Sequence, residues 1–189
     1  LELKINPNTP YTDYIKNLMK LSLEHLSFSF TNGSNPSVLD FKNIFKIIHD
    51  RLFFINPDTA ATVPPQWLAA IENPALKRLD LFFESTALND IYLLKFLELI
   101  PKLSKIAIDA SNTQITDWGL HSLIRYMQHS ALKVLSLGSN DFSKSALQRF
   151  CTQISNSHIE ELTLRNLGPS FTKAHFATLL KAFKYGKLE

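Results

Sequence analysis

A single cysteine, Cys151, stands among 189 residues. No intrachain disulfide can form, so oxidative stapling plays no part in stability, which suits a reducing compartment. Glycine is scarce, at five, and none of the five lies in a phosphate-cradling loop or a nucleophile elbow. The apolar stretches fall far short of the roughly 20 residues that a membrane span requires. No signal-like stretch opens the chain, which begins at Leu1 and not at a methionine, so the true start is expected to be missing. Charge of one sign is also lacking. The net formal charge is +3, and Lys and Arg are scattered, which argues against nucleic acid as a partner. The six histidines (His25, His49, His121, His129, His158 and His175) do not stand at metal-ligand spacing with another His, Cys or acid. These absences argue against an enzyme, a metal, a cofactor, a small-molecule substrate and a membrane.

What is present is a repeat. Hydrophobic residues make up 45% of the chain, the balance of a folded protein. They recur as apolar-x-x-apolar-x-apolar, a short strand pattern. The pattern appears at Leu76, Leu79 and Leu81, then at Leu103, Ile106 and Ile108. It returns at Leu132, Leu135 and Leu137 and at Ile159, Leu162 and Leu164. The last members, Leu81, Ile108, Leu137 and Leu164, are evenly spaced except for a slightly longer step from Ile108 to Leu137. Such a spacing lies within the period range of repeat architectures. Further back stand Leu52 and Phe54 with His49 in the first slot, then Leu23, Leu26 and Phe28, and Leu1 with Leu3 as the tail of an earlier strand. Leu188 falls where another unit would begin. Residues 1–189 therefore read as one array of about seven repeats, cut at both ends.

The gaps between strands carry a second period. Each holds one apolar quartet at i, i+3, i+4 and i+7, the stripe of an amphipathic helix. The quartets begin at Tyr11, Phe41, Pro64, Leu93, Leu120, Leu147 and Phe176. Pro64 is tolerated as a first-turn residue. Ser37, Asn89, Thr116, Ser143 and Thr172 each stand one turn ahead of a quartet, where a side-chain oxygen can accept from the free amides of a helix start. Unit by unit, a strand, a turn and a helix cannot bury both apolar stripes alone. Stacking closes the core, and the returning helices make the strands parallel. The predicted fold is α/β: a right-handed solenoid with strands lining the concave face and helices the convex face.

The stretch from Leu132 to Ile154, LKVLSLGSNDFSKSALQRFCTQI, resembles the leucine-rich repeats of the ribonuclease-inhibitor class. That class has long repeats with a full helix in each, and Asn140 stands where it has its turn Asn or Cys. Asn6 is the other Asn in that slot; the equivalents elsewhere read as Thr31, Pro57, Glu84, Ser111 and Leu167. The resemblance implies a horseshoe that binds protein.

By strand position, the residues beside the consensus slots point into the concavity. Arg51, Arg78 and Lys105 fall in one lateral row about 5 Å apart, continued by Val134 and Glu161. Phe53 and Asp80 head a second row, and Ile55, Phe82 and Asp109 a third. Aromatic side chains beside arginine are the composition of an interaction hot spot, so Arg51, Phe53, Ile55, Arg78, Asp80, Phe82, Lys105 and Asp109 form the candidate partner-binding patch. The expected partner is a protein with acidic and apolar groups. The bland alternative is that missing flanking repeats cover the apolar members. Cys151 reads as a buried thiol, His49 as a structural histidine, and Trp67 and Trp118 as packing residues near helix starts. Glu160 and Glu161 point to opposite faces. Asn56–Gln66 holds three prolines and reads as an edge loop.

Within the resembled class the arrays serve as inhibitors, as intracellular sensors and as host-directed effectors of intracellular bacteria. Richness in Asn, Lys, Ile, Phe and Ser looks like an AT-rich bacterial genome and favours a secreted effector that captures a protein in the host cytosol. A cytoplasmic location follows in either case. The alternative is the targeting part of a larger enzyme whose catalytic domain lies elsewhere. A Ran GTPase-activating protein fits the repeat type but not the missing acidic tail.

Overall fold

The computed structural model describes the backbone of residues 2–5, 23–30 and 48–55. It describes backbone and side chains of 77–84, 88–98 and 105–182, with helix backbone extending to 99 and 184. The helices expected from Tyr11, Phe41 and Pro64, the Ser37 cap, Trp67 and the loop 56–66 lie outside the described residues.

Seven strands form one sheet in chain order, every pair parallel. They are β1 (Glu2–Ile5), β2 (Leu23–Phe30), β3 (Ile48–Ile55), β4 (Arg78–Phe82), β5 (Lys105–Asp109), β6 (Leu132–Ser136) and β7 (Glu161–Thr163). Four helices are described: α1 (Asp90–Leu99), α2 (Asp117–Met127), α3 (Lys144–Gln153) and α4 (Lys173–Lys184). Each begins where a cap is expected. The Asn89 side chain accepts from the Tyr92 amide at 3.1 Å. Thr116 accepts from Trp118 at 3.3 Å and Ser143 from Ala146 at 3.2 Å. Thr172 differs: its own amide donates to Nδ1 of buried His175 at 3.0 Å.

Between β5 and β6 the register departs from the apolar count. The strand pattern places Ile108 beside Leu137, but Ile108 pairs with Leu135, Ala107 with Val134 and Asp109 with Ser136. An irregularity between Ile106 and Ala107 absorbs the difference and leaves Leu132 beside Ile106. The turns explain why. Asn112, Ser139 and Asn166, each one repeat on from the last, all adopt the left-handed conformation, with φ of 51°, 57° and 55°. Asn tolerates that conformation better than most residues. Backbone bonds then tie each turn to the next, Asn112 N–H to the Gly138 carbonyl and Ser139 N–H to the Arg165 carbonyl, both at 2.7 Å. A Cβ on Gly138 would lie 2.9 Å from the Arg165 carbonyl oxygen, so the close approach needs glycine there.

The same shift corrects the turn slot. Asn140 is buried. Its amide nitrogen donates to the carbonyls of Ala110 at 2.8 Å and Leu137 at 3.0 Å. Its oxygen accepts from the Thr113 amide at 2.9 Å and hydroxyl at 3.1 Å. The residue equivalent to Asn140 is therefore Thr113, not Ser111. Leu167, one step further, fills the slot with buried hydrocarbon.

Among the described residues, one core lies between sheet and helices. Leu79, Leu81, Ile106, Ile108, Leu132 and Leu135 enter it from the strands, and the quartets of α2 and α3 enter it whole. Leu88, Ile115 and Phe142, at equivalent places in the loops that lead to the helices, add a buried row that the strand and helix patterns do not include. Phe83 meets Phe96 of α1 with ring centroids 4.9 Å apart. In α4 the quartet is split. Leu179 is buried with His175, but Phe176 and Leu180 are 55% and 52% exposed. The α2 and α3 quartets lie between a preceding and a following unit, whereas α4 has a described unit on one side.

This packing can be tested at the turn and in the core. Asn140→Leu leaves the Thr113 amide and the Ala110 carbonyl without their partner and should lower unfolding free energy by about 2–4 kcal/mol, measured by urea denaturation; a wild-type midpoint would contradict the turn's role. Burial also pushes the Cys151 thiol up from near 9 to about 11 and the Tyr126 hydroxyl from 10.0 to about 12, against the lowering bond from Ser130. Both groups are neutral when protonated and hold the proton more tightly in the folded chain. Their contribution is therefore complete below pH 9 and is lost as pH rises through 11 and 12. Cys151→Ala should remove about 2 kcal/mol of the stability decline between pH 9 and pH 11.

Candidate functional site

The predicted patch lies on β3, β4 and β5. Its backbone register is as expected: Arg51 pairs with Arg78 and Arg78 with Lys105, Phe53 with Asp80, and Ile55 with Phe82 and Phe82 with Asp109. The side chains of Arg51, Phe53 and Ile55 lie outside the described residues. Those of Arg78, Asp80, Phe82, Lys105 and Asp109 are described, and they change the picture.

Asp80 is not offered to a partner. It is 0% exposed, and the Arg78 Nε stands 2.7 Å from its Oδ1 and 3.1 Å from its Oδ2. The two residues share a face because they are two apart on a strand. A carboxylate at a nominally solvent-facing position is thus drawn inward by its own neighbour. Lys105 is also paired: Glu160, just before β7, lies 3.7 Å from Lys105 Nζ and 2.8 Å from Lys133 Nζ. Glu160 was missed as part of this face. The signal for it is Lys133, one repeat earlier, whose carbonyl accepts from the Glu160 amide at 2.7 Å. Both described members of the expected basic row therefore stand beside a carboxylate of the chain itself, Arg78 closely and Lys105 at the longer distance of a carboxylate shared with Lys133.

The register shift rearranges the rest. Lys105 does not stand beside Val134; Ala107 does, and Val134 in turn pairs with Glu161. The middle row runs from buried Asp80 and Ala107 to half-buried Val134 and exposed Glu161. The outer row runs Phe82, Asp109, Ser136 and Thr163, in register and all half-buried. Beyond it come Ser111, Gly138 and exposed Arg165. Asp109 accepts from the Ser111 amide at 3.0 Å. The Ser111 hydroxyl reaches the Ser136 hydroxyl and accepts from the Gly138 amide, both at 3.2 Å. Hydrogen bonds thus hold this face from one repeat to the next.

On the helical side, a groove of about 520 Å³ separates α1 from α2, lined by Leu94, Leu97, Glu98, Arg125 and Tyr126 among others. A smaller one of about 200 Å³ lies between α2 and α3, lined by Leu120, His121, Ile124 and Arg149. Cys151 is buried, as expected. Trp118 is not a packing residue; it is 51% exposed. Among the described residues, no group of three His, Cys, Asp or Glu side chains could hold a metal ion, and no helix is long and apolar enough to cross a membrane.

No protein-family model and no curated protein matches the sequence. Solved structures are similar to it. The actin-binding site 2 of leiomodin-1 matches with a TM-score of 0.53 at 13% identity, spanning 80% of this chain and 90% of that one. The C-terminal domain of tropomodulin from Caenorhabditis elegans matches with a TM-score of 0.50 at 11% identity, spanning 94% and 93%. At such identities the likeness is one of fold: alternating parallel β–α units of the leucine-rich-repeat type.

Because Asp80 is buried, Arg78 acts on stability before it acts on any partner. Arg78→Glu should cost about 3 kcal/mol or more by placing a second carboxylate beside a buried one, read by thermal or urea unfolding. A variant as stable as wild type would show that Asp80 does not depend on Arg78.

Proposed function

We propose that this chain is a protein-binding module that engages its partner on the strand face and carries out no reaction of its own. The observation that supports this best is the row Phe82, Asp109, Ser136 and Thr163, with exposed Glu161 and Arg165 beside it. It is a continuous surface from four consecutive strands, mixed in polarity, with Asp109 and Ser136 already held by hydrogen bonds to Ser111. Preorganised side chains lose little freedom on binding, which favours affinity. Internal pairing of Arg78 and Lys105 means that the partner need not be strongly acidic. Phe82 supplies the apolar anchor at the centre of such a contact. That a similar fold serves leiomodin-1 as an actin-binding site accords with a protein as the partner. The narrower reading, a bacterial effector that captures a host protein, rests on amino-acid composition.

The test is capture with the immobilised chain, followed by titration of the captured partner. Phe82→Ala with Asp109→Lys should weaken binding at least about tenfold, and Thr163→Arg should do the same by filling the row with bulk. Gln148→Lys, exposed on the helical side, should leave affinity unchanged. Equal capture by the wild type and both strand-face variants, each shown folded by circular dichroism, would overturn the proposal.

A further inference from the structure

The cleft of about 200 Å³ between α2 and α3 carries polar groups that the strand face does not use. Asp117, Leu120, His121 and Ile124 line it from α2, all on one face of that helix. Ser145, Ala146 and Arg149 line it from α3. The two helix starts are in step, because Asp117 Oδ1 accepts from the Ser143 amide at 2.8 Å. One turn further along each helix, His121 and Arg149 therefore come to the same level.

Neither of those two groups has a partner among the described residues. His121 Nδ1 is buried, and it is the one buried side-chain nitrogen or oxygen described that makes no hydrogen bond. A buried polar group left unpaired is costly, and the cleft is the side from which a partner can reach His121. Arg149 is exposed, and no described carboxylate is bonded to it. A guanidinium presents two parallel donors that match the two oxygens of a carboxylate. The Nδ1 of a neutral imidazole can donate a third hydrogen bond.

The rest of the cleft limits what enters. Leu120 and Ile124 are core residues, and with half-buried Ala146 they give it an apolar floor, suited to a hydrocarbon stem. Asp117, one turn away, repels a dianion more than a single negative charge. Taking about 30 Å³ for each non-hydrogen atom, the share of one water molecule, the volume admits roughly six such atoms. We propose that this cleft binds a carboxylate on a short aliphatic stem, either a free acid or the side chain of a glutamate in a partner. Arg149 holds both carboxylate oxygens, and His121 Nδ1 donates to one of them. The site lies on the helical side and does not rest on the strand-face proposal.

NMR titration of the isotope-labelled chain tests it, with butyrate as the free acid and Nα-acetyl-glutamate methylamide as the side-chain mimic. At least one of the two should shift the His121 ring and Arg149 Nε–H signals saturably. Tighter binding of butyrate identifies a free acid as the source, and tighter binding of the mimic a partner's glutamate. Arg149→Gln should weaken binding at least about tenfold, as loss of a charge-assisted pair, and His121→Phe at least about twofold, as loss of one neutral donor. Arg149 is exposed, so its replacement leaves the core intact, and circular dichroism confirms that each variant folds. Phosphate and butylammonium should bind at least about tenfold more weakly than the better carboxylate, since they lack its shape or its sign. Shifts that stay linear into the hundred-millimolar range, saturable binding that Arg149→Gln leaves unchanged, or phosphate bound as tightly as either carboxylate overturns the proposal.

Discussion

The lateral lock between turns is the constraint on which this molecule depends. A strand residue is stabilised by its neighbours in the sheet, and a helix residue by the core. Neither specifies which residue of one unit lies beside which residue of the next. The turns do. Asn112, Ser139 and Asn166 give three successive units the same backbone shape, and the bonds from Asn112 to Gly138 and from Ser139 to Arg165 join those shapes edge to edge. Asn140 then fills the space inside, bonding to its own unit and to the one before. With the turns joined, the helix starts fall into step. Asp90 receives the Thr116 amide, and Asp117 receives the Ser143 amide. A negative side chain at a helix N-terminus is favoured by the helix dipole, so the same contact ties units together and caps a helix.

This hierarchy explains what the sequence revealed and what it hid. Strands and helices were legible because apolar spacing reports burial directly: Leu79 with Leu81, and Leu120 with Leu123, Ile124 and Met127, could lie in few other arrangements. Register was not legible in the same way. Leu132 fits the consensus as a first apolar residue and implies a longer step from the unit before, but it is buried equally well beside Ile106. Hydrophobic burial is non-directional and accepts either choice; the backbone bonds of the turn do not. The residues that decide, Ser139 and Thr113, carry no hydrophobic signal.

The strand register of the candidate residues was legible, and their side-chain pairing was not: Arg78 lies beside Lys105 and Phe82 beside Asp109 as counted. Strand alternation says which way a side chain leaves the backbone, not what it meets afterwards. Arg78 and Asp80 leave on the same side, two residues apart, and in a crowded concavity opposite charges at that spacing pair before a partner can reach them. Lys105 meets Glu160 from two strands away, a contact that needs the corrected sheet to be foreseen. Trp118 was misread for the converse reason. Its place near a helix start is shared with buried residues, and only the angular position around the helix puts it outside.

The two faces of the solenoid both set opposite charges close to one another. On the strand face, carboxylates and cations are interleaved and cancel over short distances, which leaves hydrogen bonding and shape to discriminate among partners. On the helical side too the two signs occur together: Glu98 and Arg125 line the same groove between α1 and α2, and Asp117 holds the amide of Ser143, directly before Lys144. Pairing charges within a unit makes a surface that is neutral in isolation. A solenoid favours such local pairing because each unit touches its immediate neighbours alone, so a charge finds its partner within its own unit, as Arg78 does in Asp80, or in an adjacent one, as Lys133 does in Glu160.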